Sequence, residues 1–280
     1  MKTVITAIAF ILTVTINAQD FTGKAIYKTS KKSTIKLGGE KEGISDKMQE
    51  EFQKRIQKMN QKTFILEFDK SSSIYKQEAE DLKSPTPQVG NNLKIISLGG
   101  SGSDDTYYKN IKENRFANKT EIMGKAFLIQ DTLPKQNWEL TSETKNIGVY
   151  TCYKATFSKE VENTSISIKD GETIEDKKKE VITTTAWWTP QVPVSNGPDD
   201  YQGLPGLILE INDGKKLIVC TEIVLNPTDK ISLEEPTKGE IVSQEKFNQI
   251  QKEKNDELME KMKSRNGIDL GNGINIKMGG

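Results

Sequence analysis

Short segments in which hydrophobic and polar residues alternate dominate the first half of this chain. Strand-like segments lie at 21–29, 63–69, 73–77, 106–109, 120–123 and 125–130. Alternation with a period of two is typical of strands that bury one face. A stretch rich in Pro, Gly, Asn and Ser at 82–104 interrupts them, which predicts an exposed insertion.

The second half has a more regular pattern of strands and turns. Segments 147–157 and 181–189 predict strands, and 164–174 predicts a hairpin that turns at Asp170 and Gly171. A further hairpin is predicted for 207–212 and 215–224, with Asp213 and Gly214 at its tip, because Gly supplies the positive φ of a tight turn. Strands joined by such short turns favour an antiparallel sheet over β-α-β units.

Two segments have the helical spacing of apolar residues. The first covers 44–60, with Ile44, Met48, Phe52, Ile56 and Met59 on one face. The second covers 243–263, with Phe247, Ile250, Leu258 and Met262 on one side. Steps of three and four residues predict amphipathic helices that pack on a sheet. The predicted fold class is therefore mainly β (α+β), a curved antiparallel sheet or half-barrel with two amphipathic helices.

The first segment of the chain has the pattern of a secretory signal peptide. Residues 1–18 carry one positive charge at Lys2 and an uncharged apolar run from 4 to 16, too short to cross a bilayer as a helix. We expect an exported protein, periplasmic or associated with the cell surface, and not an integral membrane protein. The domain prediction is one β-rich domain at 19–265, followed by a flexible Gly-rich tail at 266–280.

Charge and composition exclude several classes of function. The chain has 40 Lys and Arg against 40 Asp and Glu, so it lacks the basic field of nucleic-acid-binding proteins. It contains no His, which removes Ser-His-Asp and Cys-His centres and the usual zinc ligands. We therefore predict no nucleic-acid partner, no metal site and no cofactor.

Two cysteines, Cys152 and Cys220, each lie in a strand-like segment. In an oxidising compartment they could form a disulfide worth roughly 4 kcal/mol. They could equally remain two buried free thiols, because pairing requires Cα atoms about 4.4–6.8 Å apart. The sequence leaves both alternatives open.

Turn-forming residues are concentrated between two strands of the second half. From Trp187 to Ile211 the sequence reads WWTPQVPVSNGPDDYQGLPGLILEI. Pro205 presets φ and Gly206 can take a positive φ, which predicts a type II turn over 204–207. The predicted structural turn residues are Gly203, Leu204, Pro205 and Gly206. The chain should leave a strand after its paired tryptophans, make an ordered excursion, and re-enter the sheet.

This segment resembles the GLPGLI family of exported Bacteroidetes proteins. The resemblance rests on the hexapeptide at 203–208, the preceding Trp-Thr-Pro, the Pro-Val-Ser-Asn-Gly-Pro run, and the Tyr two residues before the hexapeptide. The clear match covers roughly residues 145 to 225. It agrees with export and an early strand, but it implies no biochemical activity.

Two interpretations of the excursion compete. In the first it is a rigid connection between strands, fixed by its Pro and Gly residues. In the second it forms a surface for a peptide, glycan or protein, because aromatic faces and paired acids are common recognition elements. The candidate binding residues are Trp187, Trp188, Asp199, Asp200 and Tyr201. The two tryptophans should point to opposite faces of a regular strand.

The leading functional hypothesis is a non-catalytic exported envelope protein that binds a partner or ligand on a curved β-sheet. The partner would be an envelope protein, a peptide or an apolar ligand. One alternative is a carrier of an apolar molecule in a half-barrel like that of lipoprotein carriers, which requires an open apolar concavity. Another is a carboxylate-dependent hydrolase acting on glycans, which requires a polar cleft with perturbed acids. A binding protein instead predicts a filled core and an aromatic outer patch.

Overall fold

The computed structural model describes residues 21–31, 61–78, 105–169 and 172–264. These residues form one open sheet of twelve strands and one helix, so the fold is mainly β. The strands are β1 (Gly23–Lys31), β2 (Gln61–Phe68), β3 (Ser72–Gln77), β4 (Thr106–Asn110), β5 (Arg115–Ile122), β6 (Lys125–Thr132), β7 (Glu139–Ile147), β8 (Tyr150–Lys169), β9 (Glu172–Thr189), β10 (Leu207–Asn212), β11 (Lys216–Leu225) and β12 (Glu240–Val242). The helix is α1 (Gln244–Ser264).

Neighbouring strands follow the order β12-β6-β5-β4-β3-β2-β1-β11-β10-β9-β8-β7. All pairs are antiparallel except β12 with β6, which is parallel. The strand pairing of both predicted hairpins of the second half is confirmed, and the predicted turn residues Asp170 and Gly171 lie outside the described residues. Strands β8 and β9 pair from Tyr153 with Trp188 to Lys169 with Glu172, and β10 returns to β11 through Gly214, whose φ is 84°.

The sheet is strongly curved, as one residue between β9 and β10 shows. The carbonyl of Asn196 accepts a hydrogen bond from the Ile208 amide on β10 at 3.0 Å. Its side-chain oxygen accepts a hydrogen bond from the Ser73 hydroxyl on β3 at 3.3 Å. Four strand spacings separate β3 from β10, about 19 Å in a flat sheet. A single Asn can bridge them only if the sheet bends towards itself.

The concave face of the sheet is filled by the chain itself. We call residues 190–206, which join β9 to β10, the connector. Its side chains Val192, Val194, Tyr201 and Leu204 belong to one core with buried strand residues such as Tyr27 and Phe68. The main core therefore lies between the concave face and the connector.

The convex face is partly covered by the segment 226–239, which leads from β11 to β12. Leu233 in this segment packs against a smaller core of Ile74, Tyr108, Ala117 and Leu128. Glu235 forms an ion pair with Arg115 of β5 at 2.6 Å. Both faces of the β3 to β6 region are thus covered, which explains the buried side chains on both faces of those strands.

The second predicted helix is confirmed as α1. Ser243 precedes it, and its hydroxyl accepts a hydrogen bond from the Lys246 amide at 3.2 Å, the expected N-cap contact. Phe247 packs edge-on against Phe127 of β6, which holds the helix on the sheet. The described residues contain this one helix rather than the two predicted, and the segment 44–60 lies outside them.

Other predictions also fall outside the described part of the chain. Three predicted segments lie outside the described residues: the signal segment 1–18, the insertion at 82–104 and the tail at 266–280. Within the described ranges, no helix combines the length and the apolar character needed to cross a membrane. Two strands that the sequence did not predict, β7 and β12, occupy the two ends of the sheet.

The two cysteines are free and buried, so the disulfide alternative is wrong for this structure. Cys152 lies on β8 and Cys220 on β11, with β9 and β10 between them. Burial raises the pKa of Cys152 to about 11 and that of Cys220 to about 12, which keeps both thiols protonated at neutral pH.

Candidate functional site

The connector is held to the sheet by backbone hydrogen bonds. The amides of Leu207 and Ile208 on β10 donate to the Val192 and Asn196 carbonyls at 2.9 and 3.0 Å, and inside the connector the Tyr201 amide donates to the Pro198 carbonyl at 3.1 Å. Gln202 forms an isolated antiparallel β-bridge with Asn196, also within the connector. These contacts make the connector an ordered part of the fold, as the first interpretation expected.

The glycines of the hexapeptide have different roles from those predicted. A type II turn over 204–207 needs a positive φ at Gly206, but the positive φ, 91°, belongs to Gly203. Gly206 is needed for close approach instead. A Cβ at this position would lie 2.1 Å from the carbonyl oxygen of Thr189 and 2.9 Å from the Trp188 ring. Leu204 is buried in the core and Pro205 is exposed.

A buried lysine of β4 fixes the middle of the connector. Lys109 has no exposed surface, and its Nζ donates to the carbonyls of Gly197, Asp199 and Tyr201 at 2.6, 2.8 and 3.0 Å. Burial lowers the pKa of Lys109 to about 7, and the negative charges of Asp200 and Asp199 oppose that shift. The ammonium group has three N–H donors, and each meets one carbonyl.

We call residues 199 and 200, the partly exposed middle of the connector, its crest. The backbone of Asp199 is in the left-handed region, with φ of 56°. Its carboxylate accepts a hydrogen bond from Lys216 of β11 at 2.8 Å, and its side chain stays 41% exposed. Burial opposes its charge, but Lys216, with smaller contributions from Lys109 and Lys31, holds the pKa of Asp199 below its usual range. Asp199 is therefore an ionised, partly exposed carboxylate.

Asp200 is in the opposite electrostatic situation. It is half-buried, and burial together with the adjacent Asp199 raises the pKa of its carboxyl group. Its backbone carbonyl accepts a hydrogen bond from Gln136 at 3.1 Å. Its carboxylate makes no hydrogen bond or ion pair with any residue that the structure describes. The pKa values of the two adjacent acids thus shift in opposite directions because their surroundings differ.

The two tryptophans lie on opposite faces of β9, as predicted. Trp188 is 8% exposed in the concave core, with its ring centroid 5.5 Å from that of Tyr153. Trp187 is half-buried on the convex face, where the Nζ of Lys145 lies 4.5 Å from its ring centroid. Lys145 also forms an ion pair with Glu210 at 2.7 Å.

The five candidate binding residues therefore do not form one cluster. Asp199 and Asp200 reach the surface together, whereas Tyr201 is 7% exposed and packs in the core. Trp188 is also a core residue, and Trp187 is half-buried beside Lys145, with its side chain on the other face of β9 from Trp188. The structure brings together the acid pair and the buried Tyr201, whose ring centroid lies 5.6 Å from the Nζ of Lys216, the lysine that binds Asp199.

Sequence reasoning missed the lysines that surround the acids. Lys109 stands two residues after Tyr107, which packs against the core and shares its side of β4. A lysine at an inward position of a strand was the available signal, because such a side chain must find buried acceptors. Lys216 offered no comparable signal, since it follows a turn where lysines are ordinarily solvated.

No group of three or more His, Cys, Asp or Glu side chains in the described ranges is placed to hold a metal ion. The acid pair alone supplies too few oxygen ligands for a hard cation such as calcium, which takes about six to eight oxygen ligands. The chemistry present at the connector is therefore that of carboxylates, ammonium groups and backbone carbonyls.

Together these features define a mainly β protein with a single open, largely antiparallel sheet and a connector packed against its concave face. Residues 138–210 match the model of a family described as a protein of unknown function (Porph_ging). The matched stretch contains β7 to β9, the whole connector and most of β10. A comparison with curated proteins found no match.

Two similar solved structures are those of PNGF-II in the P21 and C2 space groups. The first is 15% identical with a TM-score of 0.46, and the match covers 82% of this chain and 33% of that chain. The second is 16% identical with a TM-score of 0.46, covering 82% and 32% respectively. This chain thus spans about a third of the length of those proteins.

Proposed function

We propose that this protein is a non-catalytic exported binding protein that recognises an envelope protein or peptide at the crest of its connector. We call residues 198–201 the acidic turn. The observation that carries the proposal is the Asp199 and Asp200 pair, which reaches the surface between the buried residues 196–198 and the buried Tyr201. Paired acids on a rigid support are suited to recognition because little ordering is needed on binding.

The acidic turn costs the protein stability, which favours a role beyond connection. A non-Gly residue in the left-handed region, as at Asp199, costs about 1 kcal/mol. Asp200 adds a half-buried carboxylate beside another carboxylate. Asn and Gly would form the same turn without either charge. Costly local features of this kind concentrate at functional sites.

The filling of the concave face supports a partner-binding protein over a carrier. Core side chains of the connector take up the space that an apolar cargo would need. A half-barrel carrier would require the connector to leave the concave face.

Export and family membership belong to the same proposal. The GLPGLI hexapeptide at 203–208 falls inside the matched residues 138–210, which supports the assignment to the GLPGLI family. The signal-like segment 1–18 supports a periplasmic or cell-surface location. A single β-rich domain at 19–265 agrees with the continuity of the sheet from β1 to β12.

The test is photo-crosslinking of the mature protein in its own envelope fraction. A photoreactive residue replaces Lys159, an exposed residue close enough to Asp200 to influence its charge, and in the control it replaces the exposed Lys28 of β1. Adducts are identified by mass spectrometry of both protein and lipid. We expect one stoichiometric protein or peptide adduct from position 159 and little from position 28.

Matched variants decide whether the acids carry the binding. Asp199→Asn and Asp200→Asn should each reduce the adduct by about tenfold or more, the loss typical of a residue at the centre of an interface. The exposed Asp229→Asn makes the same change of charge far from the turn and should leave the yield unaltered. Equal yields in all variants would refute the proposal, and lipid recovered from every variant would favour the carrier.

A second candidate is a carboxylate-dependent hydrolase acting on glycans. The specific observation is that the pKa values of the adjacent acids shift in opposite directions, lowered at Asp199 and raised at Asp200. Such a difference is the arrangement that general acid catalysis uses. Release of sugar from envelope glycans by the wild type and not by Asp200→Asn would favour this candidate; no release from either would remove it.

A further inference from the structure

We propose that Lys109 is a positioning residue, a tethered cation around which the acidic turn folds so that its two carboxylates reach the surface. This inference rests on the binding function proposed for that turn. It assigns to a buried strand residue the task of shaping a surface that it does not itself reach.

The geometry around Lys109 is that of a cation held by carbonyl oxygens. The three acceptors are the carbonyls of residues 197, 199 and 201, at 2.6, 2.8 and 3.0 Å from Nζ. These are alternate residues, so the backbone winds around the ammonium group and turns one carbonyl inward at every second position. All three N–H donors of the ammonium group are therefore hydrogen-bonded, one to each carbonyl oxygen.

Three carbonyl oxygens pointing at one place would be unstable without a donor. Their partial negative charges repel one another, and each buried carbonyl left without a hydrogen bond costs about 1–3 kcal/mol. The ammonium group removes both costs at once, with charge-assisted bonds stronger than neutral ones. Because the carbonyl of Asp199 is committed inward, its side chain is left to the outer side, where it stays 41% exposed.

A second lysine completes the arrangement from another strand. Lys216 of β11 binds the Asp199 carboxylate at 2.8 Å, whereas Lys109 of β4 binds the Asp199 carbonyl. The turn is therefore held between two cations, one on its backbone and one on its side chain. Ser73 of β3 holds the connector by a neutral bond to Asn196, which offers a matched control.

Chemical rescue distinguishes a tethered cation from ordinary packing. The Lys109→Ala substitution leaves a space beside the carbonyls of residues 197, 199 and 201. Added propylammonium can fill this space and supply both the N–H donors and the charge. Tetramethylammonium supplies charge without N–H donors, and propanol supplies volume and a hydroxyl without charge. The readout is hydrogen exchange of the Leu207 and Ile208 amides, which donate to connector carbonyls in the native fold.

We expect exchange of these two amides to rise by about a hundredfold in Lys109→Ala, because several charge-assisted hydrogen bonds are lost. Propylammonium should restore about tenfold or more of that protection, and the other two additives should restore none. Ser73→Ala should raise exchange only a few-fold and show no response to propylammonium. Unchanged exchange in Lys109→Ala, or equal rescue by propanol, would overturn the inference.

Two further measurements keep the test decisive. If Lys109→Ala does not fold, refolding yield replaces exchange as the readout, with the same three additives and the same expected order. Crosslinking from position 159 is measured in parallel, with and without propylammonium. If propylammonium restores the slow exchange but no sample gives a partner adduct, the positioning role stands and the binding function is refuted. If the wild type gives an adduct but propylammonium does not restore slow exchange, the binding function stands and the positioning role is refuted.

Discussion

Replacement of Gly206 by alanine tests the close contact on which the connector depends. The new Cβ would lie 2.1 Å from the Thr189 carbonyl oxygen, 2.6 Å from its carbonyl carbon and 2.9 Å from the Trp188 ring. Ordinary contact distances are about 3.5 Å or more, so the strand end and the connector must separate by more than an ångström. Two of the three obstructing atoms belong to backbone, which cannot move away by changing a rotamer.

The expected loss of stability is at the upper end of the range for overpacking. Such insertions cost about 1–3 kcal/mol, and a backbone obstruction leaves little room for relief. The reduced freedom of the unfolded chain returns about 0.4–1 kcal/mol. We therefore expect a net destabilisation of about 2–2.6 kcal/mol, or a fall in Tm of roughly 4–10 °C for a chain of this size.

Urea unfolding followed by tryptophan fluorescence measures this loss, because Trp188 lies against the substituted position. The control is Gly214→Ala at the β10–β11 turn, where a Cβ meets nothing within 4 Å but φ is 84°. That variant carries backbone strain without a clash and should lose about 1 kcal/mol. If Gly206→Ala unfolds within about 0.5 kcal/mol of the wild type, the argument from close approach is wrong.

Three other predictions follow from buried groups. The thiols of Cys152 and Cys220 should resist a thiol reagent in the native protein and react once urea unfolds it, because burial raises the pKa of both; rapid labelling of native protein would contradict this. The raised pKa of Asp200 means that the native state binds more protons than the unfolded state, so stability falls as pH rises above the ordinary carboxyl range; Asp200→Asn should raise the urea midpoint at neutral pH, whereas Asp199→Asn, whose lowered pKa has the opposite sign, should lower it. Tyr27→Phe removes a buried hydroxyl that donates to a β10 carbonyl at 2.7 Å, and a loss of about 1–2 kcal/mol in urea unfolding is expected.

Strands that bury one face were predictable from sequence, and strands at the edge were not. The β10–β11 hairpin combines apolar alternation with Asp213–Gly214, so local pattern and turn chemistry agree. Strand β7 reads ELTSETKNI and is almost wholly polar, because an edge strand with little buried surface needs no alternation. The three-residue β12 is too short for any periodicity to be detected.

The candidate site was predicted in its position along the chain and not in its arrangement. Turn residues and paired acids marked the connector and its crest, as the structure confirms for the excursion between β9 and β10. Which way each side chain points depended on contacts with distant strands. Lys109 binds carbonyls that lie 88 to 92 residues later in the chain, and no local sequence pattern encodes contacts at that separation.

By itself, the sequence determined the β-rich class, the principal hairpins, the connector between β9 and β10, and the absence of histidine chemistry. These depend on side-chain periodicity, turn propensity and composition, which act over a few residues. The tertiary structure alone decided the strand order, the separation of the cysteines, the filling of the concave face and the capture of the connector by Lys109. Each of these depends on sheet curvature and on which buried polar groups meet, and both are set by the whole chain at once.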